Sequence, residues 1–139
     1  MKILLDTSTC IDLLRGTGGE VAARFRARKP SDLVIGSVIV AELRAGAELS
    51  RDQAEAHRRI DLLLDSVLGL PFTDEEARAF GRINADLIRR KLADHIDDMD
   101  KLIAAQAVTH GLRVATSNEK DFARIRGISW ENWRTGRRG

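Results

Sequence analysis

Short apolar runs recur along this chain, each separated from the next by a stretch with helical spacing, and that alternation limits the fold more than any single residue does. Runs at 2–5, 33–36, 70–72 and 112–116, with a further piece at 127–129, are too short for helices and read as strands. Helical patterns fall between them, at 10–15 up to Gly16, 19–28 before Pro30, 38–49 after Ser37, and 51–68 with its leucine spacing. Thr73-Asp74-Glu75-Glu76 places Thr at a cap and Glu three residues on, a capping box that opens a helix toward Leu92; a last helix spans 98–110 and stops at Gly111. Such alternation implies parallel strands joined by right-handed crossovers, with helices on both faces. The expected architecture is therefore α/β, one domain over residues 1–139, with a central, mostly parallel sheet of about 4–5 strands and a loose tail from about 134.

At 139 residues and 43% hydrophobic content, the chain is long enough to bury a real core. No stretch approaches the roughly 18 apolar residues of a membrane span, and the opening run meets Asp6 too soon for a signal-peptide core, so a soluble, cytoplasmic protein is expected. Cys10 is the single cysteine, which excludes an intrachain disulfide and a thiolate zinc site. His57, His95 and His110 lack the spacing of a ligand pair on one helix face. Any metal chemistry must then use oxygen donors, which select hard cations such as Mg²⁺ or Mn²⁺.

Three acids stand where an α/β fold buries carbon. Asp6 closes the first strand, in the crevice beyond the carboxyl ends of the sheet. Glu42 shares a helical face with Val38, Ile39, Ala45, Gly46 and Leu49, which predicts that it is buried; Asp100 heads a stripe of Ile103, Ala104, Ala107 and Val108. Burying an unpaired carboxylate costs several kcal/mol, and a shared divalent cation removes that cost. Each acid also has an ordinary reading: Asp6 as a helix N-cap, Glu42 as a surface acid beside Arg44, Asp100 as a first-turn acid like Asp97 and Asp98. Thr116-Ser117-Asn118, with Glu119 and Asp121 behind it, follows the late strand, and Ser117 and Asn118 by themselves are common turn residues.

The formal net charge is only +2, but basic residues cluster at Arg24, Arg26, Arg28 and Lys29, at Arg89-Arg90-Lys91, and at Arg134, Arg137 and Arg138. Such runs are most often solvated faces; the first two are candidates for holding the phosphates of a polyanionic partner, contacts that position a strand without reading it. Aromatics are 4% with no tyrosine, so base stacking is not the expected mode, and Trp130 and Trp133 read as core anchors. The run Leu62-Leu63-Leu64 with Ile60 and Val67 exceeds one helix stripe and suggests either a buried hairpin or a dimer face.

In order along the chain, Ile-Leu-Leu-Asp-Thr-Ser, Ser-x-x-x-x-Glu-Leu, Asp-x-x-Ile-Ala-Ala-x-Ala and Val-Ala-Thr-x-Asn resemble the PIN-domain ribonucleases, and most closely the VapC-type toxins of VapBC toxin–antitoxin systems. The resemblance implies a compact α/β nuclease whose acids bind Mg²⁺ or Mn²⁺ and cut RNA, with Asp6, Glu42 and Asp100 matching the three principal acids. The fourth acid that the family often has falls at position 118, where this chain has Asn118, so that a second strongly held metal would need Asp121, Glu119 or substrate phosphate. It further implies a homodimer, inhibited by a VapB-type antitoxin whose C-terminal segment lies across the crevice, in a heterotetramer or larger assembly. On this basis Asp6 and Asp100 ligate the ion, Glu42 ligates through water or takes the nucleophile's proton, and Asn118, Thr116 and Ser8 position phosphate or water.

Two other functions fit parts of the sequence. An aspartate-dependent phosphatase also places its nucleophile after a first strand, but resembles Asp-x-Asp-x-Thr, where position 8 here is Ser8. A non-catalytic nucleic-acid-binding module would use the acids as caps and the basic clusters for phosphate.

Overall fold

β1 (Ile3–Leu5) lies at the centre of the sheet because all three of its side chains are buried, as a strand covered on both faces requires. In the computed structural model, which describes residues 2–16 and 19–139, it is followed by α1 (Thr7–Arg15), α2 (Gly19–Arg26), β2 (Leu33–Gly36), α3 (Ser37–Glu48), α4 (Gln53–Asp65) and β3 (Leu68–Leu70). Then come α5 (Asp74–Arg89), α6 (Asp98–His110), β4 (Arg113–Ala115), α7 (Glu119–Arg124) and β5 (Trp130–Glu131). The strands form one sheet in the order β3-β2-β1-β4-β5, parallel throughout. Successive crossovers move outward from β1 to β3, then return to its other side for β4 and β5. The two directions diverge between β1 and β4, which opens a crevice beyond their carboxyl ends.

Register fixes what meets there. Leu4 pairs with both Val34 and Val114, and Leu5 pairs with Ala115, so the next residues, Asp6 and Thr116, emerge side by side. Beneath them Leu4, Leu5, Ile35, Ile39, Ala104, Ala105, Val114 and Phe122 are fully enclosed. The alanines of α6 permit the close approach expected of them, and a Cβ at Gly36 would collide with the amide of buried Gln106. No helix of the described residues is long and apolar enough to cross a membrane.

Several element ends differ from the sequence expectation, each for a local reason. α1 begins at Thr7 rather than residue 10, because Asp6 itself supplies the cap. α4 stops at Asp65 as Ser66 turns its backbone onto Leu63 and its hydroxyl onto Leu62, so the third strand forms at 68–70 instead of 70–72. The last strand is at 130–131 rather than 127–129, and the turn after β4 continues into an unexpected short helix, α7. Residues 134–139 are not a loose tail: Trp130 and Gly139 exchange backbone hydrogen bonds at 2.9 and 3.0 Å, and Glu131 pairs with Arg138. Trp133 is buried as an anchor, its indole N–H donating to Glu131 at 2.6 Å.

The capping box at Thr73 forms, and it also ties α5 to α6. Buried Glu76 accepts from Thr73 N–H at 2.7 Å and pairs at 2.5 Å with His110 from the end of α6. Burial alone would push this carboxyl up; the Thr73 hydroxyl, His110 and the Thr73 backbone outweigh it and hold the group at about 2. A depressed carboxyl stabilises the fold fully above its ordinary pKa of 4.5 and loses that contribution as pH falls toward 2. Glu76→Gln should therefore lower the unfolding free energy at neutral pH by up to about 3 kcal/mol, with the difference from the parent shrinking in acid. Urea titrations at several pH values measure this, and a pH-independent difference would refute it.

Candidate active site

Asp6 performs two tasks at once. Its backbone N–H prolongs the β1–β4 ladder by donating to Ala115 O at 3.0 Å. Its side chain is 3% exposed, with Oδ1 accepting Thr7 N–H at 2.7 Å and Oδ2 accepting the Thr116 hydroxyl at 2.6 Å and that of Ser8 at 3.5 Å. Capping and facing the crevice are thus compatible in one carboxylate. Burial pushes its pKa above the ordinary range, against the Thr116 and Thr7 hydrogen bonds, and the charge of Glu42 adds to the rise.

Asp100, in the first turn of α6, meets the turn after β4. The Asn118 side-chain amide donates to Asp100 Oδ2 at 2.7 Å and to Asp121 Oδ2 at 3.0 Å, bridging the two acids. Asn118 N–H in turn donates to the Thr116 hydroxyl at 2.9 Å, and Ser117 N–H to the Ser8 hydroxyl at 3.1 Å. Asp100 is pushed up to about 8, first by burial, then by the charge of Asp6, and then by hydrogen bonding to and charge on Asp121, with Asp97 contributing. The fourth carboxylate near the site is therefore that of Asp121, one of the two acids that the sequence offered in place of Asn118, one helical turn further on.

Glu42 departs from its expected burial. The buried stripe of α3 is Ile39, Leu43 and Ala47, which leaves Glu42 exposed at its edge. It still faces the site, because the Thr7 hydroxyl donates to Glu42 Oε2 at 3.0 Å. Beside it an open groove of about 760 Å³ runs between α1, α3 and α4, floored by Ile11, Leu14, Leu43, Ala47 and Ile60; of the apolar residues expected to share the face of Glu42, only Gly46 lines it, while Ile39 is in the core.

The basic candidates divide. Arg28 is committed inside the molecule: it donates to buried Glu131 at 2.9 Å and lies 5.9 Å from the Trp133 ring centre. Arg90 pairs with Asp86 at 2.6 Å and donates to Arg124 O at 2.7 Å, so it fastens α5 to α7. Arg24 packs beneath Gly136, its Nε buried, with Glu20 at 3.8 Å. Arg26 and Arg89 are exposed and, among the described residues, form no ion pair, so they alone of the five remain open to a phosphate.

The electrostatics are one-sided. Among the described residues, none of the carboxylates of Asp6, Glu42, Asp100 or Asp121 is ion-paired with a Lys, Arg or His. Lys101, the neighbour of Asp100, is buried and turned away toward Asn84 and Asp98 at 3.1 and 3.2 Å. Oxygen donors and uncompensated charge suit a hard cation. As they stand, however, no three His, Cys, Asp or Glu among the described residues are drawn together tightly enough to hold one. Hydroxyls and an amide occupy the directions between them: Thr116 on Asp6, Thr7 on Glu42, Asn118 between Asp100 and Asp121.

A family model described as the PIN domain matches residues 3–128. The tRNA(fMet)-specific endonuclease VapC of Salmonella typhimurium is 31% identical over 133 residues, 96% of this chain and 98% of that protein. Ribonuclease VapC1 of Rickettsia felis is 33% identical over 129 residues, 92% and 93% of the two. The fold is also similar to that of a chain in the crystal structure of DNA-bound VapBC from Salmonella typhimurium, with a TM-score of 0.89 at 31% identity over 96% of this chain and 98% of that one. A chain of VapBC-1 from nontypeable Haemophilus influenzae gives 0.85 at 29% identity over the same shares.

The raised Asp100 carboxyl sets a sign for metal-free stability. Between about pH 4 and about pH 8 the folded chain holds a proton that the unfolded chain has released, so stability falls as pH rises through that window. In excess chelator, the unfolding free energy of the parent should decline relative to Asp100→Asn between about pH 5 and about pH 8, a range in which Glu76 no longer titrates. Parallel curves for the two proteins would show that Asp100 ionises normally.

Proposed function

This chain belongs to the PIN-domain family and stands among its VapC ribonucleases, and on that premise we propose that it is a Mg²⁺- or Mn²⁺-dependent endoribonuclease, the toxin of a VapBC-type pair acting in the cytoplasm. The chief support is the set of carboxylates without a counter-charge at the β1–β4 crevice, which two parallel strands deliver together. A phosphatase mechanism has no comparable support, since Ser8 offers a hydroxyl where a second acid is needed.

Asp6, Asp100 and Asp121 are the oxygens that would hold the cation, with Glu42 at its outer edge. When bound, Mg²⁺ or Mn²⁺ offsets charge on the phosphate and makes an attacking water easier to deprotonate. The remaining tasks fall to side chains. Thr116, Thr7 and Ser8 fix the Asp6 carboxylate in one orientation, so little reorganisation is needed when substrate arrives. Asn118 bridges Asp100 and Asp121 while neutralising neither. Glu42, solvent-accessible and oriented by Thr7, accepts the proton of the attacking water. Arg26 and Arg89 supply phosphate contacts away from the acids.

The groove beside Glu42 supports the partner. Its apolar floor and carboxylate end match an amphipathic antitoxin segment that fills it and directs a basic side chain at Glu42. A homodimer, and with antitoxin a heterotetramer or larger assembly, completes the proposal. On α4, Ile60 and Leu63 are buried while Leu62 is 54% exposed, so the leucine run serves the core and still leaves an apolar residue for an interface.

With a structured RNA as substrate, cleavage should require added Mg²⁺ or Mn²⁺, stop in excess chelator, and fall by about 100-fold or more for Glu42→Gln, with Asp6→Asn and Asp100→Asn reduced to background. Unimpaired cutting in chelator would end the metal-dependent reading. Expression of the chain alone should arrest growth, and Asp6→Ala should relieve the arrest; harmless expression of active protein would remove the toxin role and leave the nuclease.

A further inference from the structure

The C-terminal residues form a tight hairpin in which Asn132 N–H donates to Arg137 O at 2.8 Å and Gly136 N–H returns to Asn132 O at 2.7 Å, with Gly136 at φ +80. The antiparallel bridge between Glu131 and Arg138 continues it back onto β5. Two arginines, three residues apart, leave the turn for different helices. Arg134 grips Asp12 of α1 with both arms, Nε to Oδ2 at 2.7 Å and Nη2 to Oδ1 at 2.9 Å. Arg137 Nε lies 3.5 Å from Glu119 Oε1, at the first residue of α7.

Both helices carry parts of the acidic site. Asp12 is one turn beyond Ser8 on the same face of α1, and Ser8 contacts Asp6 and Ser117 N–H. Glu119 directly follows Asn118 and precedes Asp121 by two residues. Anchoring of β5 does not need these arginines. Buried Trp130 and Trp133 hold it, and Glu131 is bonded to Arg28 at 2.9 Å and to the Trp133 indole at 2.6 Å.

We propose that residues 134–138 form a positioning strap, in which Arg134 on Asp12 and Arg137 on Glu119 set the separation of α1 from α7 and so the spacing between Asp6 and the Asn118–Asp121 pair. The strap rests on the nuclease function proposed above and adds to it a requirement remote from the reacting atoms. Single exposed ion pairs contribute little to stability, whereas a forked guanidinium on a carboxylate adds fixed geometry. A small error in donor spacing is costly at a site where reacting groups must align.

The test compares Arg134→Met and Asp12→Asn with the exchanged pair Asp12→Arg plus Arg134→Asp, and with Arg78→Met as a control that removes the surface pair Asp74–Arg78 on α5. Both single variants should lose about tenfold in kcat on a structured RNA while KM stays within about twofold, as displacement of oriented groups predicts. Calorimetric titration with Mn²⁺ alone should show weaker binding in the same variants, the exchanged pair should recover both properties, and Arg78→Met should match the parent. Unchanged kcat and Mn²⁺ affinity, even with a lower Tm, would overturn the strap. A rise in KM alone would overturn it as well and make Arg134 an RNA contact. Were the parent to cleave no RNA, the nuclease function would fall, and the Mn²⁺ titration would decide the strap by itself.

Discussion

The adjacency of β1 and β4 is the constraint on which the rest turns. Pairing of Leu5 with Ala115 places Asp6 against Thr116, and the Thr116 hydroxyl then reaches Asp6 at 2.6 Å in a setting that excludes water. A slip of one residue would turn Asp6 to the other face of the sheet and leave a charge in the core. The apolar strand interiors oppose such a slip, since Leu4, Leu5, Val114 and Ala115 are completely buried in the observed register. The hydrophobic core therefore determines where the carboxylate stands, and neutral donors keep it there.

Neutral donors matter because of what they leave undone. A hydroxyl or amide satisfies the lone pairs of a carboxylate without cancelling its charge, so the charge of Asp6 adds to the rise of Asp100 and that of Glu42 to the rise of Asp6. Arginines placed there would relax the site and stabilise the fold. The chain uses them elsewhere: Arg90 and Arg126 on Asp86, Arg28, Arg113 and Arg138 around Glu131, Arg134 on Asp12. That distribution explains why a pI of about 9.0 says so little about nucleic acid in this protein. Much of the positive charge is spent on internal structure.

Alternation of apolar runs and helical periods was enough to read the α/β class, and the position of β2 at 33–36 needed no correction, because a buried strand has an unbroken apolar signature. Asp6 and Asp100 were legible for a related reason: an acid ending an apolar run or heading an apolar stripe contradicts its surroundings. Glu42 stands exposed rather than in the core, because the stripe of α3 that meets the sheet runs through Ile39, Leu43 and Ala47, offset from the one its apolar neighbours suggested. α7 and the terminal hairpin were invisible because tertiary contacts, not local propensity, hold them; six residues of helix and two of strand carry too short a period to detect. The basic clusters misled for the converse reason, since a sequence shows charges and hides their partners. Arg28 and Glu131 are 103 residues apart along the chain.

The exposure of Glu42 has a consequence for the proposed partner. Among the described residues the site acids form no ion pair with a basic side chain, and the groove next to them has an apolar floor between charged walls, Arg15 and Arg59 among them, with Glu42 at one end. A cation with an RNA phosphate, or a guanidinium on a peptide lying in the groove, would answer the same electrostatic demand, and the two cannot do so together. Inhibition would then need no distortion of the enzyme, because the charge that favours substrate favours the inhibitor equally. The groove tips the balance, since half-buried Ile11 and Leu14 offer a peptide burial that a polyanion cannot use. Leu43 and Ala47 of α3 belong both to the core and to the floor of this groove, and Glu42, exposed beside them at the edge of the helix, is the residue assigned the proton.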